Sequence, residues 1–349
     1  MANQSLARSR YSIDSCTAAD AWTHGAALSC WNHEYKQVRP GRFDGRVQTA
    51  WLGPIQLVHE SIGHAFNYRG TAWKGSRVFF SYLPGCGDVF YDNRPVGTSA
   101  LVTHRWNGVE RVNGSDRISL VIAAIDEDYL AEALAPVPGL ADLFRTPDPA
   151  LYTSDADSIT GFQRAVYDTL CELSQSPELL GDERGRAGLQ QRILDSIIAI
   201  AASGCEMQAR LPAPSTRAYI VGRAIEYMDA HLADPISVRD ICAAIRVCPR
   251  TLSYAFSGVL GASPKAYLLA TRLNRAFRDL ADSRCNASIQ SVASRWGFSH
   301  MGRFAYYYRS AFGERPSDTY RSRGGCRAPS PTGISAVDSH ALLRRLAGS

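Results

Sequence analysis

The stretch IQSVASRWGFSHMGRFAYYYRSAFGERPSDTYR, residues 289–321, decides the fold of the C-terminal third of this chain. Apolar residues recur at i, i+3, i+4 and i+7 over Ile289–Trp296, which predicts a two-turn helix with one buried face. After a short break a second helical stripe follows, made of Phe304, Tyr308 and Phe312. Gly313 then suits a left-handed helix end, and Pro316 suits the first turn of another helix. Two short helices with a tight turn predict a helix-turn-helix motif.

The same pattern occurs a second time, upstream. Its first helix carries the apolar stripe Val238, Ile241, Cys242 and Ile245. Its second half, Leu252-x3-Phe256-x3-Leu260-Gly261-x2-Pro264, has the spacing of Phe304-x3-Tyr308-x3-Phe312-Gly313-x2-Pro316. The sequence therefore predicts two helix-turn-helix motifs, over residues 238–259 and 289–312.

A single helix is predicted between the two motifs. Apolar residues recur at helical spacing through Ser263–Asp282, a span of roughly 30 Å at 1.5 Å per residue. Such a helix would hold the second helices of both motifs at a fixed separation. If that separation is about 34 Å, the second helices of both motifs would enter successive major grooves on one face of DNA.

Residues Tyr219–Arg321 closely resemble the DNA-binding domain of AraC/XylS-type transcription regulators. The residues that carry this resemblance are Arg272-Leu273-Asn274-x-Ala276, Ile289-x2-Val292-Ala293-x2-Trp296-Gly297-Phe298-Ser299 and Phe304-x3-Tyr308-x3-Phe312-Gly313-x2-Pro316-Ser317-x2-Tyr320-Arg321. Two departures stand out. Cys248 replaces a capping serine of the family, which weakens the start of one helix. Tyr308 replaces a phenylalanine and needs a place for its hydroxyl group.

The resemblance implies which side chains touch DNA. Side chains opposite the apolar stripes are expected at base edges, namely Arg250, Ser253, Tyr254, His300, Arg303 and Tyr306. Phosphate contacts are expected from Ser263, Lys265, Ser299 and Arg309. An arginine can bond guanine O6 and N7 together, which distinguishes bases by roughly 1–3 kcal/mol.

The distribution of charge agrees with a module that binds a polyanion. The chain has 349 residues, with 38 Lys+Arg and 33 Asp+Glu. Residues 1–215 hold 19 basic and 24 acidic side chains, whereas residues 216–323 hold 16 basic and 8 acidic ones. A basic third joined to a slightly acidic remainder favours a DNA-binding domain attached to another domain.

Other features exclude several protein classes. The nine cysteines form no C-x-x-C pair, which argues against a disulfide framework or zinc ribbon and favours a cytoplasmic protein. The apolar run Ile193–Ala202 is too short to span a membrane, and Met1–Ser12 lacks an export signal. Nucleophile-elbow, Walker and paired-carboxylate motifs are missing, so we expect neither an enzyme nor a cofactor.

The N-terminal part has the pattern of a β-rich domain. Alternating runs with turn residues between them extend from Arg46 to Ile125, which predicts an antiparallel barrel or sandwich. Helices are predicted over Asp126–Leu134, Asp157–Ser174 and Arg186–Ala202, the last two as a dimerisation surface or a cover for the strands. The predicted fold class is α+β, a β-barrel-like sensor domain with helices followed by an all-α domain with two helix-turn-helix motifs.

These patterns predict that the chain is divided into four segments. They are an effector-sensing or dimerisation domain over 1–209, a Pro-containing linker over 210–216, the DNA-binding domain over 217–323, and a disordered tail over 324–349.

A second resemblance concerns the sensor domain. Trp31-x3-Tyr35-x3-Arg39-Pro40-Gly41-x-Phe43-x-Gly45 is similar to regulators of ethanolamine-utilisation operons, which implies an amine effector. Candidate effector residues are Trp51, His59 and His104, and a barrel could bring the two histidines together. Scattered histidines are more often structural, so a metal site is not expected.

The leading hypothesis is a sequence-specific transcription regulator, an activator that responds to a small-molecule effector such as an amine. Its expected partners are double-stranded DNA, RNA polymerase, the effector and a second copy of the chain, without a membrane. One alternative is a constitutive DNA-binding protein whose first domain only dimerises. Another is an enzyme fused to a DNA-binding domain, which turnover by residues 1–215 would reveal.

Overall fold

The computed structural model describes residues 11–28, 30–39, 41, 43–135, 150–153, 156–202, 206–208 and 215–322. It has an α+β fold, with a sheet-rich N-terminal region and a helical C-terminal region. The predicted tail over 324–349 and most of the predicted linker lie outside these residues. Within the described part, no helix is long and apolar enough to cross a membrane.

The strands of the N-terminal region form two antiparallel sheets. In chain order the strands are β1 (Tyr11–Ala18), β2 (Asn32–Gln37), β3 (Gly45–Leu52), β4 (Ile55–Ile62), β5 (Phe66–Thr71), β6 (Ser76–Tyr82), β7 (Val89–Tyr91), β8 (Arg94–Pro95), β9 (Ala100–Arg105), β10 (Glu110–Gly114), β11 (Ile118–Asp126), β12 (Ala150–Thr153) and β13 (Glu206–Gln208). The larger sheet has the order β1-β3-β4-β11-β6-β9-β12-β13, and the smaller has the order β2-β5-β10-β7-β8.

The described helices follow the order of the chain, with a 3-10 turn at Pro177–Leu180 between the third and the fourth. They are α1 (Ala21–Ala26), α2 (Glu127–Leu134), α3 (Ala156–Gln175), α4 (Glu183–Ala202), α5 (Thr216–Ala230), α6 (Val238–Ile245), α7 (Pro249–Leu260), α8 (Pro264–Ala281), α9 (Ile289–Arg295), α10 (Met301–Phe312) and α11 (Pro316–Ser322).

The larger sheet is apolar on both faces because each face is covered. Even-numbered residues of β11, such as Ile122, join Phe80 and Tyr68 in a core between the two sheets. Odd-numbered residues, such as Val121, pack beneath α3 and α4 in a second core with Phe162. The two sheets therefore face each other, as in the sandwich that the strand spacing allowed, and α3 and α4 cover the larger sheet.

The predicted strands and helices of this region are confirmed, but several strands were missed. Those not predicted include β1, β2, β5 and β10. Polar side chains interrupt the alternation in β2 and β5, and short strands with two polar faces carry little periodic signal.

The C-terminal region consists of two small cores that share α8. One core joins α5, α6 and α7 to the first half of α8 through Tyr267 and Leu268. The other joins α9 and α10 to its second half through Leu273, Phe277 and Leu280. One continuous helix of 18 residues therefore contributes to both cores.

The outer face of the smaller sheet packs against this helical region, chiefly through β2. Lys36, which is buried, donates to both carboxylate oxygens of Asp229 on α5 at 2.8 and 3.0 Å. Asn274 on α8 donates to the carbonyl oxygen of Gln37 at 3.0 Å. The Gln37 amide reaches the carbonyl oxygen of Ala311 on α10 at 3.4 Å. One strand thus contacts helices from both cores.

The left-handed backbone conformation of Gly313, which ends α10, can be tested by substitution. Its φ is +74°, and an added Cβ would contact nothing within 4 Å, so Gly313→Ala isolates the cost of a left-handed backbone. We expect the free energy of unfolding in urea to fall by about 1 kcal/mol. The control is Gly302→Ala inside α10, also without contacts, which should be neutral or stabilise by up to about 1 kcal/mol. Equal changes for both variants would contradict this explanation.

Candidate nucleic-acid interface

The first helix pair, α6 and α7, is built by local capping. Ser237 and Asp240 form a reciprocal capping box at the start of α6, and Arg246 ends this helix with φ 58°. Pro249 occupies the first position of α7, where its missing N–H leaves no donor unsatisfied. Cys248 makes no capping hydrogen bond, as its sequence position indicated. The tight turn between the helices therefore depends on the left-handed backbone at Arg246 and on the proline that starts α7.

The face of α7 opposite its core is open to solvent. Leu252 and Phe256 are fully buried, whereas Arg250, Ser253 and Tyr254 are exposed. The Arg250 guanidinium lies 5.4 Å from the centre of the Tyr254 ring and donates to the Tyr254 hydroxyl at 3.3 Å. Together they form a flat, cationic surface with several donors near the helix start.

The second helix pair, α9 and α10, repeats this arrangement. Ser288 caps α9 by accepting from the Ser291 N–H, and Gly297, with φ +80°, forms the turn. The Tyr306 side chain is 71% exposed on α10. The other side chains predicted to face DNA on this pair, His300, Arg303 and Arg309, are exposed as well.

Tyr308 shows how the second pair accommodates a polar atom in its core. Its ring is fully buried against Phe304, and its hydroxyl donates to Thr319 Oγ1 on α11 at 2.8 Å. The requirement noted from the sequence, that this hydroxyl be bonded or exposed, is met by the bond.

Three of the four predicted phosphate-contacting residues lie at or near helix starts, whereas Arg309 lies in the last turn of α10. Ser263 Oγ accepts from the Ala266 N–H at 3.2 Å and so caps α8, while Lys265 is exposed in the first turn of that helix. Ser299 is exposed just before α10. Free N–H groups at helix starts and the nearby cation suit phosphate oxygens.

Two polar side chains of α8 fix the neighbouring helices. Arg272 donates through Nε to the carbonyl oxygen of Leu232 at 3.1 Å, just past the end of α5. Asp279 accepts from Trp296 Nε1 at 2.9 Å and from Arg295 at 3.0 Å, which holds the end of α9. These bonds explain why an arginine and an acidic residue lie on α8 beside its apolar stripe.

The structure does not bring His59 and His104 together, as a barrel was expected to do. His59 faces the helices, where it bonds Ser119 Oγ at 3.0 Å and its ring meets Tyr167 on α3. His104 points to the opposite face of the larger sheet and pairs with the buried Glu110 carboxylate.

Trp51 lies near the end of β3, between β1 and β4 in the larger sheet, and is only partly buried. Its ring centre is 5.6 Å from that of Trp73.

A second buried histidine–carboxylate pair lies between the sheets and was not predicted from the sequence. His24 Nε2 lies 2.6 Å from Glu60 Oε1, and both side chains are buried. Its partners come from α1 and β4, 36 residues apart, so no local spacing could reveal it. Among the described residues, no group of three or more histidine, cysteine, aspartate or glutamate side chains is placed to hold a metal ion.

Comparisons with known proteins agree with the placement of these helices. Residues 241–322 match the family described as "Helix-turn-helix domain". The chain is 32% identical over 182 residues to the probable thc operon regulatory protein of Rhodococcus erythropolis, covering 50% of this chain and 54% of that protein. It is 38% identical over 100 residues to the XylDLEGF operon transcriptional activator of Pseudomonas putida, covering 28% and 31% respectively.

One solved structure is also similar to part of this chain. It is a probable AraC family transcriptional regulator from Rhodopseudomonas palustris, 34% identical, covering 30% of this chain and 98% of that chain with a TM-score of 0.29. The chain spans about half the length, or less, of the two relatives named above.

The burial of His59 predicts how the free energy of unfolding depends on pH. Burial lowers the pKa of His59 to about 4, although the charge of Glu60 acts in the opposite direction. In the unfolded chain the pKa of this side chain is about 6.5. As the pH falls, the unfolded state therefore binds the proton before the folded state does. The free energy of unfolding should therefore decrease between pH 6.5 and 4.

The variant His59→Gln removes this titration. From pH 7 to pH 5 wild type should lose about 2 kcal/mol more stability than the variant in urea unfolding. Parallel stability curves for the two proteins would show that His59 is not held neutral by burial.

Proposed function

Since residues 241–322 form an AraC/XylS-type helix-turn-helix domain, we propose that the whole chain is a sequence-specific transcription regulator that responds to a small molecule. The observation that carries the DNA-binding part is the pair of exposed tyrosines, Tyr254 and Tyr306. They occupy equivalent positions, two residues after Leu252 and Phe304, and are 59% and 71% exposed. Large aromatic side chains that are left uncovered at matching positions favour an interaction surface.

In this proposal α7 and α10 are the recognition helices of two helix-turn-helix motifs. Their base-edge contacts come from Arg250, Ser253, Tyr254, His300, Arg303 and Tyr306, and phosphate contacts come from Ser263, Lys265, Ser299 and Arg309. Because α8 is continuous, one chain would bind two unlike half-sites on the same side of the DNA.

The N-terminal domain supplies the regulation in this proposal. Residues 1–209 sense an effector or dimerise, residues 210–216 link the domains, and residues 217–323 bind DNA. The contacts of β2 with α5, α8 and α10 support a direct route from the sensor to the DNA-binding helices. Effector binding would then change the orientation of these helices.

We further propose that the protein activates transcription as a homodimer beside RNA polymerase. One named relative is an operon transcriptional activator, which supports this direction of regulation. An amine such as ethanolamine is the first effector to test. Occupancy and transcription that stay the same with and without the effector would favour a constitutive DNA-binding protein.

Footprinting first identifies the natural operator. Base recognition is then tested by measuring the binding of Arg303→Ala to a library of variants of that operator. This variant should lose preference at one or two base pairs of one half-site, by about 1–3 kcal/mol. The contrasting variant is Lys265→Ala, which should weaken binding to every sequence by a similar factor. Uniform weakening by Arg303→Ala would instead assign that side chain to phosphate.

The phosphate contacts are tested by the salt dependence of binding. The logarithm of the association constant should fall linearly and steeply with the logarithm of the salt concentration, because bound cations release counterions from DNA. Lys265→Ala should lower the magnitude of this slope by about 1. A flat salt profile of wild type would contradict the proposed surface.

A further inference from the structure

A cleft of about 370 Å³ lies where the N-terminal domain meets the connecting helix α8. Its walls come from α1 and β2 on one side and from α8 and α10 on the other. Aromatic rings line much of it, namely Trp22, Trp31, Tyr35, Phe277 and Phe312. The volume and the aromatic walls are typical of a small-molecule site.

Two carboxylates line the cleft, Asp20 just before α1 and Glu34 on β2. Asp20 uses one oxygen to accept from the Thr23 N–H at 2.7 Å and the other from the Thr23 hydroxyl at 2.8 Å, so it serves to cap α1. Glu34 on β2 instead pairs with guanidinium groups of α8, Arg275 at 3.1 Å and Arg278 at 3.3 Å.

Arg278 is the less firmly held of these two arginines. Its side chain is 44% exposed, against 27% for Arg275. Its guanidinium also lies over the Trp22 ring, 5.1 Å from the centroid. The face of an indole ring and a carboxylate are the two groups that recognise an organic cation. Here the protein's own side chain occupies them, beside open space.

We propose that this cleft binds a small organic cation, recognised by the Glu34 carboxylate and the Trp22 ring, with Arg278 as an internal competitor. The inference builds on the sensor role proposed above, because it identifies the position and the chemical class of an effector. A bound ammonium group takes the place of the Arg278 guanidinium on both partners. No covalent chemistry is involved.

This exchange would change how the domains are held together. Arg278 lies on α8, so its release removes one of the two guanidinium contacts between that helix and Glu34. His33 does not repel the incoming cation, because burial lowers the pKa of this histidine and favours its neutral form. The ligand therefore acts on the helix that holds both DNA-binding helix pairs.

Titration calorimetry on the full-length protein without DNA tests the proposal. The probes are choline and ethanolamine, each paired with an uncharged analogue of similar shape, 3,3-dimethyl-1-butanol and ethylene glycol. We expect saturable binding of at least one cation and at least tenfold weaker binding of its uncharged analogue. Absence of binding by both cations, or equal binding of the analogues, would overturn the proposal.

Variants then separate this site from any other cation site. Trp22→Leu and Glu34→Gln should each weaken cation binding at least tenfold, and Trp22 is exposed enough that its replacement should leave folding intact. Arg278→Ala should tighten binding about fivefold, because the competing guanidinium is gone. The matched control is Arg284→Ala, an 89% exposed arginine that pairs with Asp282 and should have no effect.

Weaker binding by Arg278→Ala would exclude the competition. The calorimetry requires no DNA, so its failure would leave the DNA-binding proposal standing. Conversely, recognition-helix variants that keep normal operator binding would contradict the DNA-binding proposal and leave the result for this cleft unchanged.

Discussion

The two-sided burial of α8 is the constraint on which the rest of the C-terminal domain depends. Tyr267 and Leu268 lie in one core and Leu273 and Phe277 in the other, so neither helix pair can form its core without this helix. Each core is small. The second helix of each pair, α7 or α10, buries one face in its core and exposes the opposite face to solvent. Fixing both pairs to one 18-residue helix, roughly 27 Å long, sets the distance between their exposed faces.

The same helix is where the two domains meet. β2 contributes Lys36 to α5, Gln37 to α8 and α10, and Glu34 to two arginines of α8. Lys36 is one of three lysines in a chain whose other cations are all arginine, and it is buried beside Asp229. A buried ion pair adds little net stability, yet breaking it by loss of one partner is costly, so it fixes how the domains dock. A change in β2 would therefore reach both helix pairs at once.

Sequence alone predicted the helical domain well because its signals are local. The apolar stripes, Gly261 and Gly313 in left-handed conformations and the proline starts all lie within a few residues of what they control. The N-terminal domain was predicted only in outline. The short polar strand β2 gave no periodic signal, although it holds the domains together. His59 and His104 face opposite sides of one sheet, which depends on register and on which face each sheet buries. The cleft beside Trp22 and Glu34 arises from the docking of separate domains, which no spacing along the chain encodes.

The most direct test of the central claim is the affinity of the full chain for its operator with the spacing between half-sites changed. A rigid connection by α8 predicts that inserting five base pairs, about half a turn of DNA, reduces binding to that of a single half-site. Inserting ten base pairs restores the face of the DNA but exceeds the fixed separation, so it should reduce binding as well. Affinity that stays the same with either insertion would contradict the account, because it would mean that the two helix pairs are not held by one rigid helix.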